Sequence, residues 1–83
     1  MNIRIKLYAM LAAHLPPGAV KNEAEIGVSD AATVHQVLTS LNVPMEQCHL
    51  VLINGVFVAP SERDRHALNE GDALAVWPPV AGG

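Results

Sequence analysis

Cysteine occurs once in the 83 residues, at position 48, so no internal disulfide can staple the fold. A chain without bridges suits a reducing compartment. Lysine and arginine together number five against eight acidic residues, for a net charge of −3. Scattered from Arg4 to Arg65, the basic residues form no positive stripe for a phosphate backbone, which argues against a nucleic-acid partner. No apolar run is long enough to cross a bilayer, and no basic-then-apolar segment opens the chain. The expectation is a cytoplasmic protein with no membrane partner. A glycine-rich loop closing on Lys-Ser or Lys-Thr is also missing, so nothing equips the chain to bind ATP on its own.

What is present is enough for one compact core and no more. Residues 2–8, NIRIKLY, alternate strictly, with Ile3, Ile5 and Leu7 on one face, as a half-buried strand requires. Residues 9–15, AMLAAHL, are good helix formers with Met10, Leu11 and Leu15 at helical spacing, stopped by Pro16-Pro17-Gly18. Alternation resumes over 23–28, EAEIGV, placing Ala24, Ile26 and Val28 on one side of a second strand.

The best helix is TVHQVLTSLNVP: Val34, Val37, Leu38 and Leu41 share a face, Thr33 and Gln36 form a capping box, and Asn42-Val43-Pro44 ends it. Asn54-Gly55 between two apolar runs signals a hairpin with arms 50–53 and 56–59. PSERDRH reads as a solvated loop, Gly71-Asp72 as a turn, and ALAVW as the last strand. Element order predicts an α+β fold, one main helix packed on a mixed sheet of four to five strands. Residues 1–78 are expected to form the domain and 79–83 a flexible tail.

Five quoted stretches then resemble a known group: IKLYAML, ATVHQVLTSL, VLINGVFV, the LNEGD turn, and above all the terminal PPVAGG. End to end the chain resembles the ubiquitin-like β-grasp sulfur carriers of the MoaD/ThiS family, which include the molybdopterin synthase small subunit and the thiamine-pathway carrier. The short helix after the first strand and the Pro-Pro before the tail look more like the molybdopterin branch. The resemblance implies a β-grasp fold and a non-catalytic carrier or small subunit with no active site, metal or bound cofactor of its own.

It further implies that Gly83 is the site of adenylation and thiocarboxylate formation. An adenylating enzyme related to ubiquitin-activating enzymes would supply ATP and Mg²⁺, and a larger molybdopterin synthase subunit would receive the sulfur in building the molybdenum cofactor. Related systems leave open a carrier for thiamine or tungsten-cofactor synthesis, and a protein modifier conjugated through Gly83. A β-grasp interaction module with an inert tail is the third reading.

The tail chemistry has its own physical logic. Pro79, Val80, Ala81, Gly82 and Gly83, fully extended, reach on the order of 17 Å, enough to enter a partner's pocket. Without Cβ atoms, Gly82 and Gly83 pass a narrow channel. Pro78 and Pro79 fix φ and lower the cost of ordering the tail, roughly 1 to 2 kcal/mol per residue. Alternation places Ala75 and Trp77 opposite Leu74 and Val76, making Trp77 a candidate partner anchor or half-buried core. Phe57 is a weaker anchor candidate, with core as the alternative. Cys48 beside His49 suits neither zinc spacing nor a relay, and His14, His35 and His66 are expected to be solvated.

Overall fold

The computed structural model describes residues 1–79; the expectations for Val80, Ala81, Gly82 and Gly83 lie outside the described residues. Five strands form one sheet: β1 (Asn2–Leu7), β2 (Glu23–Gly27), β3 (Leu50–Ile53), β4 (Val56–Phe57) and β5 (Ala73–Trp77), in the order β2-β1-β5-β3-β4. The last strand is the central one. It runs parallel to β1, with Ile5 beside Leu74 and Leu7 beside Val76, and antiparallel to β3, with Val51 beside Val76. All other pairings are antiparallel, so the sheet is mixed.

β1, β3 and β5 follow their expected alternation, whereas β4 covers only Val56–Phe57 of the expected arm 56–59 and leaves both residues exposed. Ile3, Ile5 and Leu7 of β1, Val51 and Ile53 of β3, and Leu74 and Val76 of β5 are buried on one face. Against them packs the helix α1 (Val34–Ser40), which buries Val34, Val37 and Leu38. Complete burial of such side chains contributes roughly 1.5 to 3 kcal/mol each, and this layer supplies most of the core. The capping box is formed as read: Thr33 Oγ1 accepts from the Gln36 amide at 3.2 Å and Gln36 Oε1 from the Thr33 amide at 2.9 Å. The hairpin turn is likewise as read, with φ of 50° at Asn54 and 84° at Gly55, the pair of positive values a type I′ turn needs.

Two expectations need correction. Residues Ala9–His14 form a 3₁₀ helix that buries Leu11 but leaves Met10 66 % exposed, because a threefold repeat moves position 10 off the face that 11 covers. The run PSERDRH is only partly solvated. Its first three residues form a 3₁₀ turn, Pro60–Glu62, and Arg63 behind it is buried.

Candidate docking face and tail root

The face of the sheet away from α1 is built by the residues that alternate with the core. Register places Lys6, Ala75, Leu52 and Phe57 in one row across four strands, with Trp77 beside Leu50 in the next. Trp77 is half-buried because its ring stacks on that of Tyr8, with centroids 4.4 Å apart and planes 6° from parallel. Phe57 is 55 % exposed, which corrects the core alternative for it. The reason is topological: β4 is a two-residue edge strand, and its pairing with Leu52 turns Phe57 to the outer face.

Leu50 and Leu52 are half-buried between these aromatics, whereas Val56, paired with the core residue Ile53, lies on the opposite face. The outer face therefore carries an apolar half along β5, β3 and β4. Its other half is charged: Glu23 of β2 lies 3.4 Å from Arg4 and 3.9 Å from Lys6, both on β1. Exposed pairs of this kind contribute about 0 to 1 kcal/mol, so their effect is to hold the charges in place more than to stabilise the fold.

The apolar half ends at the point where the tail begins. The Trp77 carbonyl accepts from the His49 amide at 2.9 Å and the Val76 carbonyl from the Tyr8 amide at 3.2 Å. Pro78 is buried and Pro79 exposed. Neither proline has an N–H to donate, so the ladder ends at Trp77. The root of the tail is thus held on both sides, by β1 through Tyr8 and by β3 through His49.

Behind the root sits a side chain the sequence reading left in solvent. Arg63 is 7 % exposed, and its guanidinium donates to the carbonyls of Cys48 at 2.6 Å, His49 at 3.3 Å and Val58 at 3.4 Å. Burial pushes the neighbouring Cys48 thiol above its ordinary value, outweighing the opposing effect of the Arg63 charge, and Glu46 adds to the rise. A raised thiol pKa leaves little thiolate at neutral pH, the opposite of what a reactive cysteine needs. Among the described residues no cluster of His, Cys, Asp and Glu could hold a metal ion. His35, His49 and His66 are exposed and His14 half-buried.

The ThiS family model matches residues 12–83, nearly the whole chain and all of the tail. The chain belongs to the ThiS family. Solved structures agree with that membership. The HVO 2177 protein of Haloferax volcanii is 30 % identical with a TM-score of 0.76, covering all of this chain and 87 % of its own. SAMP1 of the same organism is 26 % identical with a TM-score of 0.66, each chain covered completely. A structure of subunits 1 and 2 of the molybdopterin-converting factor of Helicobacter pylori matches at 15 % identity and a TM-score of 0.62, again over both full chains, a likeness of fold alone. No curated protein matches the sequence. The architecture of this ThiS-family chain is the ubiquitin-like β-grasp, shared with SAMP1, a small archaeal modifier protein.

Proposed function

We propose that this ThiS-family chain is a sulfur carrier whose Gly83 carboxylate is adenylated by a partner enzyme, converted to a thiocarboxylate, and used as sulfur donor in molybdopterin synthesis in the cytoplasm. The observation that carries the reading is the family match running through Gly83, following a root that the fold holds at Trp77. Among the described residues no helix is long and apolar enough to cross a membrane.

The chemistry asks little of the carrier beyond presentation. A glycine α-carboxylate, with a reference pKa of roughly 3.3 to 3.7, is ionised at neutral pH and can attack the α-phosphate of ATP. Pyrophosphate leaves, and Mg²⁺ in the activating enzyme offsets the phosphate charge. A reduced sulfur donor then displaces AMP from the acyl-adenylate and leaves the thiocarboxylate. The apolar half of the outer face, with Trp77 and Phe57 as anchors, is the surface we assign to the adenylating enzyme and to the sulfur-accepting subunit in turn. Large aromatics dominate the contact energy of such surfaces.

The likeness to SAMP1, a small archaeal modifier protein, favours a second reading, conjugation of Gly83 to a lysine amine on other proteins. Intact-mass spectrometry of the protein from its native host separates the two. A gain of one oxygen-to-sulfur exchange supports the carrier, and conjugates of increasing mass support the modifier; unmodified carboxylate under all sulfur-replete conditions defeats both. Gly82→Ala and Gly83→Ala are expected to impair adenylation while leaving the melting curve unchanged. Wild-type adenylation rates in both variants would overturn the threading role.

A further inference from the structure

Arg63 joins three parts of the molecule that are separate in sequence. Its guanidinium takes carbonyls from both open ends of the β3–β4 hairpin, Cys48 and His49 before β3 and Val58 after β4. Its own carbonyl accepts from the His35 amide at 2.8 Å, and the His66 carbonyl accepts from the Val34 amide at 3.3 Å. The loop therefore satisfies N–H groups in the first turn of α1, which lack partners within the helix. On the far side of the clamp, the amide of His49 is the donor that holds the Trp77 carbonyl. A continuous line of hydrogen bonds runs from the start of α1 through Arg63 and His49 to the last strand residue before the prolines.

A buried arginine with no carboxylate partner among the described residues needs a reason to be kept. Satisfying it takes several acceptors, and placing it here orders both hairpin ends at once. The planar fork reaches carbonyls on two chain segments simultaneously; a lysine ammonium at the same position is a compact point charge and cannot span them.

We propose that Arg63 is a positioning residue for the C-terminal tail: by fixing the Cys48–His49 segment it fixes the carbonyl of Trp77, and so the place and direction in which the chain is offered to its partner. The enzymatic consequence rests on the carrier reading above; the structural one does not. Loosening the root adds conformations that docking must remove, a cost on binding and not on the chemical step.

The test compares wild type with Arg63→Lys and Arg63→Met. Amide hydrogen exchange is read at His49, whose acceptor is Trp77, and at Leu7, whose amide donates to Asn22 on the opposite flank of the sheet. Expected for Arg63→Lys is exchange at His49 faster by about tenfold or more with Leu7 unchanged, a local opening that global destabilisation does not produce. Arg63→Met, which removes all three guanidinium bonds, should show the larger effect at His49.

With the adenylating enzyme of the same organism, pyrophosphate release by Arg63→Lys should show KM raised roughly fivefold with kcat little changed. Equal acceleration at both amides, or none at His49, overturns the proposal, as does a fall in kcat at constant KM. The exchange comparison needs no partner enzyme. It decides the role of Arg63 even where the wild-type chain proves not to be adenylated, the result that would overturn the carrier reading instead.

Discussion

Tyr8 and Trp77 lie ring on ring, centroids 4.4 Å apart and planes within 6°, where the parallel strands β1 and β5 run out together. The pair joins the end of the first strand to the end of the last. Sheet pairing alone would hold the backbones; the stack also fixes the orientation of the Trp77 ring.

The first prediction concerns that stack. Urea unfolding of Tyr8→Leu, Trp77→Leu and the double variant should give a coupling free energy of about 0.5 to 1.5 kcal/mol, the usual value of an aromatic pair beyond its area. Additive effects would show two rings that are neighbours without being partners.

Phe57 gives the complementary case. Its side chain is 55 % exposed on an edge strand, so Phe57→Ser should move the unfolding free energy by no more than about 0.5 kcal/mol. Loss of an interface anchor, in contrast, costs about 2 kcal/mol or more in binding. Calorimetry of the variant with the adenylating enzyme checks this; unchanged affinity would remove Phe57 from the docking face.

Asn54 tests how far the hairpin turn depends on its side chain. Its amide donates to Asp72 Oδ1 at 2.9 Å and its carbonyl oxygen accepts from the Ala73 amide at 2.9 Å, tying the turn to the start of β5. Asn54→Gly keeps the positive φ and loses both bonds, at a cost of about 1 to 2 kcal/mol. Asn54→Ala also has to adopt φ near 50° and should cost more than the glycine variant. Thermal melts that rank the two in the opposite order would contradict this account.

Cys48 sets a pH dependence. Because burial raises its pKa in the folded state, the folded chain holds the thiol proton at a pH where the unfolded chain has lost it. The stability from this group is complete below the ordinary thiol pKa, about 8.5, and declines as pH rises through the higher folded value. Urea midpoints measured across alkaline pH should fall more steeply for wild type than for Cys48→Ala. At neutral pH, iodoacetamide should label the native thiol much more slowly than the urea-unfolded one.

Much of the fold was legible because it rests on near neighbours in the chain. Strict alternation over residues 2–8 placed Ile3, Ile5 and Leu7 inward, and Thr33 with Gln36 located the start of α1 from a contact three residues long. Asn54-Gly55 announced the hairpin because positive φ at two adjacent positions is a local demand. Alternation likewise put Leu74 and Val76 in the core and left Ala75 and Trp77 for the other face.

Arg63 shows where such reading stops. In a run of mixed charges it looks solvated, and only the carbonyls of Cys48, His49 and Val58, brought together by the folded hairpin, make its burial affordable. The signal available was the run's position after a hairpin whose open ends need donors, which is too general to single out one arginine. Phe57 is the reverse case, an aromatic that reads as core until β4 proves to be a two-residue edge.

By itself, then, the sequence determined most of the segments that are strand and helix, most of the faces they bury, and the family, whose model matches residues 12–83. Tertiary structure alone decided that β5 lies between β1 and β3, and so that Tyr8 meets Trp77 and His49 holds the Trp77 carbonyl. The physical reason is range. Backbone conformation and side-chain alternation are set by the residues next in line, whereas strand order and the partners of a buried charge depend on groups that only the completed sheet brings within hydrogen-bond distance.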